Sequence, residues 1–265
     1  MWKKDFQPFG GADIYFSKRS RIKLKKLAEG EELNIISTVC PDYPHNGRQY
    51  TFSGQLGNRI SLTAREHLRT VPDLVKILFF RGVPTNWLIL LADLPEVTPA
   101  QAEFVQRLSG SPLSYLLRCA KSAAAIQREI GGSARVETFS TWYGSRQIDY
   151  LSLQTAAAKN ILAAQDACFR EFFARFCESR RPLAEKFRGR RLNKEELRQA
   201  GAHAISLYAT HGTLLRKIFA GRKLLVINHN TINLRNFFLS GYVPLNNFNA
   251  NLPKFIIGIL SRSLY

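Results

Sequence analysis

Residues 33–39 read Leu-Asn-Ile-Ile-Ser-Thr-Val, a short run rich in aliphatic and β-branched side chains. A run of this kind is typical of a strand that is buried on both faces of a parallel sheet. A second such run, Asn-Trp-Leu-Ile-Leu-Leu, occupies residues 86–91. Between the two, residues 61–80 are predicted to form a helix, with a kink or break at Pro72. Its apolar positions recur at helical spacing: Leu68, Val71, Leu74, Val75 and Leu78. Strand, helix and strand in this order predict a βαβ unit with a right-handed crossover.

The same alternation continues through the rest of the chain. After the second strand we predict a basic helix ending at Gly131-Gly132, a strand at residues 134–139, helices at residues 151–177 and 194–218, and a strand at Lys223–Asn228. No repeat, low-complexity region or linker divides the 265 residues. We therefore predict a single Rossmann-like α/β domain over residues 1–265, with a mainly parallel sheet flanked by helices and a basic N-terminal segment at residues 1–30.

The charge balance is strongly positive. The chain has 38 Lys and Arg against 20 Asp and Glu, a formal net charge of +18. Such an excess attracts a polyanion over long range, so nucleic acid or an anionic membrane surface is the expected partner. Three segments concentrate the positive charge: residues 18–26, the helix after the second strand, and residues 180–194. They lack a neighbouring apolar face of the kind that membrane-surface helices carry, which favours RNA, although each is also compatible with a solvated helix face.

The N-terminal residues, the length of the apolar runs and the spacing of the cysteines together predict a cytoplasmic protein. The first residues lead into no apolar segment typical of a signal peptide, and no apolar run reaches the length of a membrane-spanning helix. The four cysteines have neither paired nor metal-ligand spacing, so we expect reduced thiols. They are Cys40, Cys119, Cys168 and Cys177.

Functional groups are expected just beyond the carboxyl ends of the strands, where open parallel sheets bind their ligands. Four stretches lie there: residues 37–43, 93–96, 139–143 and 228–231. The sequence contains no Walker A loop, GxGxxG turn, GxSxG elbow or HExxH helix. It therefore predicts neither a metal site nor a bound cofactor.

Two side chains after the first strand are candidate nucleophiles. Ser37 lies at the strand end, where a hydroxyl forms a covalent ester if its surroundings activate it. Cys40 is the intrinsically more reactive alternative. Both residue types also occur at such positions as small structural residues, so the sequence leaves the choice open.

Polar side chains around the last strand are candidates for hydrogen bonding and proton transfer. Asn228 and His229 follow the strand, and Tyr208 and His211 lie three residues apart on one face of the preceding helix. Each histidine fits equally well as a hydrogen-bonded structural residue.

Two acidic residues follow the second strand. Asp93 and Glu96 are well placed to hold a substrate ammonium or guanidinium group, or to cap a helix N-terminus.

In layout the chain resembles the cyclodipeptide synthases, whose fold is related to the catalytic domain of class I aminoacyl-tRNA synthetases without their ATP-handling motifs, HIGH and KMSKS. The family's first strand ends in two aliphatic residues, a Ser, small residues and a Tyr; residues 35–43 here read Ile-Ile-Ser-Thr-Val-Cys-Pro-Asp-Tyr. In the family a basic helix follows, and later a helix with catalytic Tyr and Glu precedes a strand ending in Tyr-His. The matching stretches here are residues 202–215 and 224–229, with no Glu in the first and Asn228 in place of the Tyr.

The resemblance implies an aminoacyl-tRNA-dependent, ATP-independent synthase that joins two aminoacyl groups into a diketopiperazine. In this ping-pong mechanism Ser37 accepts an aminoacyl group from one charged tRNA, and the amine of a second aminoacyl-tRNA attacks that ester. The resulting dipeptidyl ester then cyclises to the diketopiperazine. The implied catalytic residues are Ser37, Tyr208, His211, Asn228 and His229; the implied substrate-binding residues are Cys40, Tyr43, Asp93 and Glu96; the implied tRNA-binding residues are Lys23, Lys25, Lys26, Arg118, Lys121, Arg128, Arg180, Arg181, Arg190 and Arg191.

Substrate preference and two competing interpretations remain open. A divergent branch of the family makes arginine-containing cyclodipeptides, for which Asp93 and Glu96 would suit a guanidinium pocket. An isocyanide synthase-like enzyme acting on a free amino acid is an alternative, but it leaves the +18 charge unexplained. A non-catalytic RNA-binding protein on a Rossmann scaffold is another. The sequence predicts neither the amino acids joined nor the oligomeric state.

Overall fold

The computed structural model describes residues 6–8, 15–39, 62–93 and 111–228. The strands are β1 (Phe6–Pro8), β2 (Tyr15–Ser17), β3 (Leu33–Val39), β4 (Thr85–Leu91), β5 (Arg135–Thr138) and β6 (Lys223–Asn228). The helices are α1 (Lys18–Lys25), α2 (Leu62–Phe80), α3 (Pro112–Ile130), α4 (Phe139–Gly144), α5 (Tyr150–Ala163), α6 (Ala167–Arg188) and α7 (Lys194–Ile218). β1 and β2 form an antiparallel hairpin, which the sequence analysis did not predict.

The remaining strands form one four-stranded parallel sheet in the order β5-β4-β3-β6. Counted along the chain, this is the order 3-2-1-4 of a Rossmann-like half, with the direction of strand addition reversing between β3 and β6. The predicted α/β fold with helices flanking a parallel sheet is confirmed. In such sheets the point of reversal opens a crevice at the carboxyl ends of the two strands, so β3 and β6 define where a ligand is expected.

Alternation along β3 sends neighbouring side chains to opposite faces of the sheet. Ile35 and Val39 pack on the face covered by α1, α2 and α3. Ile36 packs on the other face, against aromatic and aliphatic residues of α4, α5 and α7. Both faces are therefore buried, as the largely aliphatic and β-branched sequence of β3 predicts.

A second hydrophobic cluster joins α5, α6 and α7. Four phenylalanines of α6 form its centre and pack against small residues of the two neighbouring helices. They are Phe169, Phe172, Phe173 and Phe176. This cluster fixes α7, the helix that carries His211, against the rest of the helical layer.

The predicted helix over residues 151–177 is in fact two helices. α5 ends at Ala163, and Ala164 has an extended conformation. The side chain of Asp166 then accepts a hydrogen bond from the backbone amide of Phe169 and begins α6. An Asp at this position is a strong N-cap, and the helical spacing of the apolar residues on either side conceals it in the sequence.

Two further predictions from the sequence differ from the structure, one at Pro72 and one at the end of a strand. Pro72 lies inside α2, which runs without interruption from residue 62 to 80. The third strand of the sheet is shorter than predicted, because Thr138 caps α4 and Phe139 is already helical. Within the described ranges, no helix is both long and apolar enough to span a membrane.

Candidate functional site

The carboxyl ends of β3, β4 and β5 bring polar side chains from distant parts of the sequence together. Thr38 is the penultimate residue of β3, Asp93 follows β4, and Tyr143 lies on the short helix after β5. His211 reaches this cluster from the middle of α7. Asp93 and residues 139–143 belong to stretches that were predicted to lie beyond strand ends, and they follow β4 and β5.

Thr38, His211 and Tyr143 form a continuous hydrogen-bonded chain. The hydroxyl oxygen of Thr38 lies 2.8 Å from Nε2 of His211, and the phenolic oxygen of Tyr143 lies 2.6 Å from Nδ1. Both ring nitrogens thus have a hydroxyl partner. A neutral imidazole has one donor and one acceptor nitrogen, so one hydroxyl donates to the ring and the other accepts from it. Two arrangements satisfy this condition: either Thr38 donates to Nε2 and Nδ1 donates to Tyr143, or Tyr143 donates to Nδ1 and Nε2 donates to Thr38.

Burial keeps His211 neutral. Its side chain is only 3% exposed, and its ring stacks on Phe139 at a centroid distance of 4.6 Å. Burial lowers the pKa of His211 from 6.5 to about 3, because the surroundings disfavour the imidazolium. Burial also raises the pKa of Tyr143 well above its usual value of 10. At neutral pH the chain of groups therefore consists of a neutral imidazole between two protonated hydroxyls.

Ser37 lies on the opposite face of the sheet from His211. Its side chain is 0% exposed, and its hydroxyl oxygen accepts a hydrogen bond of 2.9 Å from the indole nitrogen of Trp87. This contact lies among the residues that pack under α1, α2 and α3. Thr38, the next residue along the strand, is the one bonded to His211 of α7.

Asp93 acts as a cap in this structure. Its carboxylate is 2% exposed and accepts a 2.9 Å hydrogen bond from the backbone amide of Ser140, in the first turn of α4. The hydroxyl of Ser140 donates a second, very short bond to the same carboxylate. Of the two roles that the sequence left open for Asp93, helix capping is the one that its contacts fit.

Several predicted site residues fall outside the described part of the chain. These are Cys40, Tyr43, Glu96 and His229. Tyr208 is on α7, and Asn228 ends β6 at the register position beside Thr38; their side chains are not described. The backbone thus brings Thr38 and Asn228 together at the crevice between β3 and β6.

The predicted tRNA-binding residues separate into two groups. Lys23, Lys25 and Lys26 lie exposed at α1, and Lys121 and Arg128 lie exposed on α3. Both helices pack against the same hydrophobic cluster on one face of the sheet. Arg118 is also on α3, although its side chain is not described.

Arginines of the second group are held by carboxylates. Arg181 pairs with Glu178 at 2.8 Å and with Glu185 at 3.3 Å. Arg190 pairs with Glu196 at 2.5 Å and lowers the pKa of that carboxyl to about 2. The Arg181 contacts lie within α6, and the Arg190 contact joins the loop after α6 to the start of α7. Both reduce the charge that the segment offers to phosphates. Arg191 is exposed, and the side chain of Arg180 is not described.

Metal and thiol chemistry have little support in the described part of the chain. No group of three or more His, Cys, Asp or Glu is placed there to hold a metal ion. Cys168 is exposed, whereas Cys119 and Cys177 are buried, and burial raises the pKa of Cys177 to about 12, which makes its thiol unreactive.

Sequence reasoning did not assign roles to Trp87, Tyr143 or Phe139. Tyr143 and Phe139 fall in a stretch that was predicted to lie at the sheet edge, but nothing in the sequence indicates that they contact His211, 68 positions beyond Tyr143. Comparisons with family models, curated proteins and solved structures found no match to this chain.

Proposed function

We propose that this protein is an aminoacyltransferase that takes aminoacyl groups from charged tRNA and joins two of them into a diketopiperazine. One observation carries the proposal: the hydroxyl-bearing pair Ser37-Thr38 lies near the end of the strand at the switch point of the sheet, and a neutral imidazole is hydrogen-bonded to Thr38 there. A hydroxyl beside a proton acceptor at this position is suited to covalent acyl transfer.

The donor follows from charge and from the motifs in the sequence. The ester of aminoacyl-tRNA is already activated, so its transfer needs no ATP-binding loop, cofactor or metal. The net charge of +18 and the exposed lysines at α1 and on α3 favour a polyanionic donor. Two charged tRNAs would be used in sequence, in the cytoplasm, where they are found.

The proposed reaction is ping-pong. A hydroxyl at the end of β3 accepts the first aminoacyl group; the resemblance to cyclodipeptide synthases assigns this role to Ser37. The amine of the second aminoacyl-tRNA attacks the enzyme ester and frees the enzyme hydroxyl, which leaves a dipeptidyl ester on the second tRNA. The free amine of the dipeptide then attacks that ester, which closes the ring and releases the tRNA. Asn228 and His229, which end β6 and begin the following segment, are proposed to bind the substrate carbonyl.

The test is incubation of the purified protein with a mixture of charged tRNAs, followed by mass spectrometry of the small molecules released. Cyclic dipeptides are the expected product, and the same tRNAs without amino acids are the control. Absence of product from a folded protein that binds charged tRNA would refute the proposal.

A binding-only function is the second candidate, and the burial of Ser37 favours it. A non-catalytic protein would bind charged and uncharged tRNA with the same affinity and would carry no adduct. Filter binding of both tRNA forms at one salt concentration distinguishes the synthase from the binding-only protein. A protein that contacts only phosphates binds tRNA equally well with and without the aminoacyl group.

A further inference from the structure

We infer that the acyl acceptor is the hydroxyl of Thr38, with His211 as its base and Tyr143 as the group that orients the base. This inference rests on the proposed aminoacyl-transfer function and deepens it by naming the residue that carries the ester. It assigns the role to a residue next to the one that the family resemblance designates.

Access to solvent distinguishes the two hydroxyls. Ser37 is 0% exposed and bonded to Trp87 beneath three helices. Thr38 is partly exposed and lies beside the end of β6, at the crevice of the sheet. Thr38 is therefore the more accessible of the two residues to a substrate ester, whereas the Ser37 oxygen would first have to leave its indole partner.

Contact with a base also distinguishes them. An attacking hydroxyl needs a proton acceptor within hydrogen-bond reach, and Nε2 of His211 is 2.8 Å from the Thr38 oxygen. The β-branched side chain of Thr38 has restricted rotation, which keeps its hydroxyl directed at the ring. The side chain of Ser37 lies on the other face of the sheet. It would contact His211 only if β3 were displaced by one residue in register.

The base is itself held in place, as in nucleophile–base–orienter sets. Tyr143 bonds Nδ1 at 2.6 Å, and Phe139 stacks on the ring at 4.6 Å. With Nδ1–H donating to the phenolic oxygen, Nε2 has its lone pair free for the Thr38 proton. A neutral phenol stabilises a transient imidazolium less than a carboxylate does, so this unit suits an ester that is already activated.

The step balances without any further reactant. The Thr38 oxygen attacks the carbonyl carbon of the aminoacyl ester, and its proton passes to Nε2 of His211. The bond from that carbon to the terminal ribose oxygen breaks, and the proton on Nε2 moves to this oxygen. The amine of the second aminoacyl-tRNA then displaces Thr38 in the same manner.

A fluorophosphonate probe tests the inference independently of tRNA, because it reacts with activated hydroxyls and releases fluoride. The wild-type protein is labelled, and tandem mass spectrometry locates the label within the peptide that contains residues 37 and 38. We expect it on Thr38. A label on Ser37, or no label on the folded protein, would overturn the inference.

Variants separate activation from mere exposure. Thr38→Ser should be labelled at least as fast as the wild type, and Thr38→Val should lose the label. His211→Gln should slow labelling by about a hundredfold or more, since general-base assistance typically contributes that much. Thr155→Val, which removes an exposed hydroxyl from α5, is the matched control and should label like the wild type. Equal labelling of the Thr38→Ser and His211→Gln variants would contradict activation by the imidazole.

Failure of this inference and failure of the proposed function give different experimental results. A labelled Thr38 in a protein that takes no aminoacyl group from charged tRNA would refute the function and leave the activated hydroxyl standing. An aminoacyl adduct mapped to Ser37 would support the function and overturn the inference.

Discussion

Ser37 and Thr38 are neighbours in β3, yet their hydroxyls lie on opposite faces of the sheet. The first accepts a hydrogen bond from Trp87, and the second is bonded to His211. A strand alternates its side chains, so a displacement of one residue in register would exchange the two environments. The parallel pairing of β3 with β4 and β6 over its length fixes this register.

The Ser37–Trp87 contact predicts that Ser37→Ala destabilises the fold. Removal of the hydroxyl leaves a buried indole N–H without its acceptor, which typically costs about 1–3 kcal/mol. Urea denaturation of the purified variant measures the loss. The expectation from sequence, that Ser37→Ala abolishes product and leaves the fold intact, therefore needs a stability measurement beside the activity measurement.

A double-mutant cycle isolates this contact. Trp87→Phe removes the donor, and the variant with both changes should be more stable than the two single losses predict by addition. Strict additivity would show that the 2.9 Å bond contributes nothing to the free energy of unfolding.

The neutral state of His211 predicts a pH dependence of stability. The pKa of this residue is about 3 when folded and 6.5 when freely exposed, so the unfolded chain binds the extra proton between these values. The free energy of unfolding should therefore fall as pH decreases below 6.5, by at most about 1.4 kcal/mol per pH unit from this group. Denaturation at pH 7, 6 and 5 measures the slope.

The matched variant is His211→Gln, which has no group that titrates in this range. Between pH 6 and 5 its stability should fall less steeply than that of the wild type, by the equivalent of one proton. Equal slopes for the two proteins would mean that His211 is protonated in the folded state.

The contacts of Asp93 predict a structural effect of its substitution. Asp93→Ala removes the acceptor for two donors of Ser140 and should destabilise the protein by about 1–3 kcal/mol. Asp93→Asn retains one acceptor oxygen and should cost less. Thermal unfolding of the two variants checks this order, which would be contradicted if both melted at the wild-type temperature.

The two groups of basic residues predict different effects on tRNA binding. Lys121→Gln removes an exposed charge on α3 and should weaken tRNA binding and reduce its salt dependence by about one counterion. Arg190→Gln removes an arginine that is already paired with Glu196 and should change tRNA binding less. Binding measured over a series of salt concentrations tests the difference; an equal loss in both variants would contradict it.

Periodicity in the sequence predicted most of the α/β architecture. The strands at residues 33–39 and 223–228 coincide with the observed ones, because a buried parallel strand is rich in aliphatic and β-branched residues. The break between α5 and α6 was missed, since it depends on the single cap at Asp166. The hairpin of β1 and β2 was missed because strands of three residues have too few positions to show alternation.

The rule of strand ends selected the positions of Asp93 and Phe139, and the structure places Asp93 in contact with Ser140, the neighbour of Phe139. The choice between Ser37 and Thr38 depends on which face α7 covers. The contact between Tyr143 and His211 depends on packing across 68 positions of sequence. Neither is encoded in a local motif.

We propose that charged tRNA acylates a hydroxyl near the end of β3. The intact mass of the protein after a short incubation with one species of aminoacyl-tRNA measures this step. We expect a mass increase of one aminoacyl group that hydroxylamine removes and that Thr38→Val abolishes. An unchanged mass, with the tRNA bound and still charged, would contradict it.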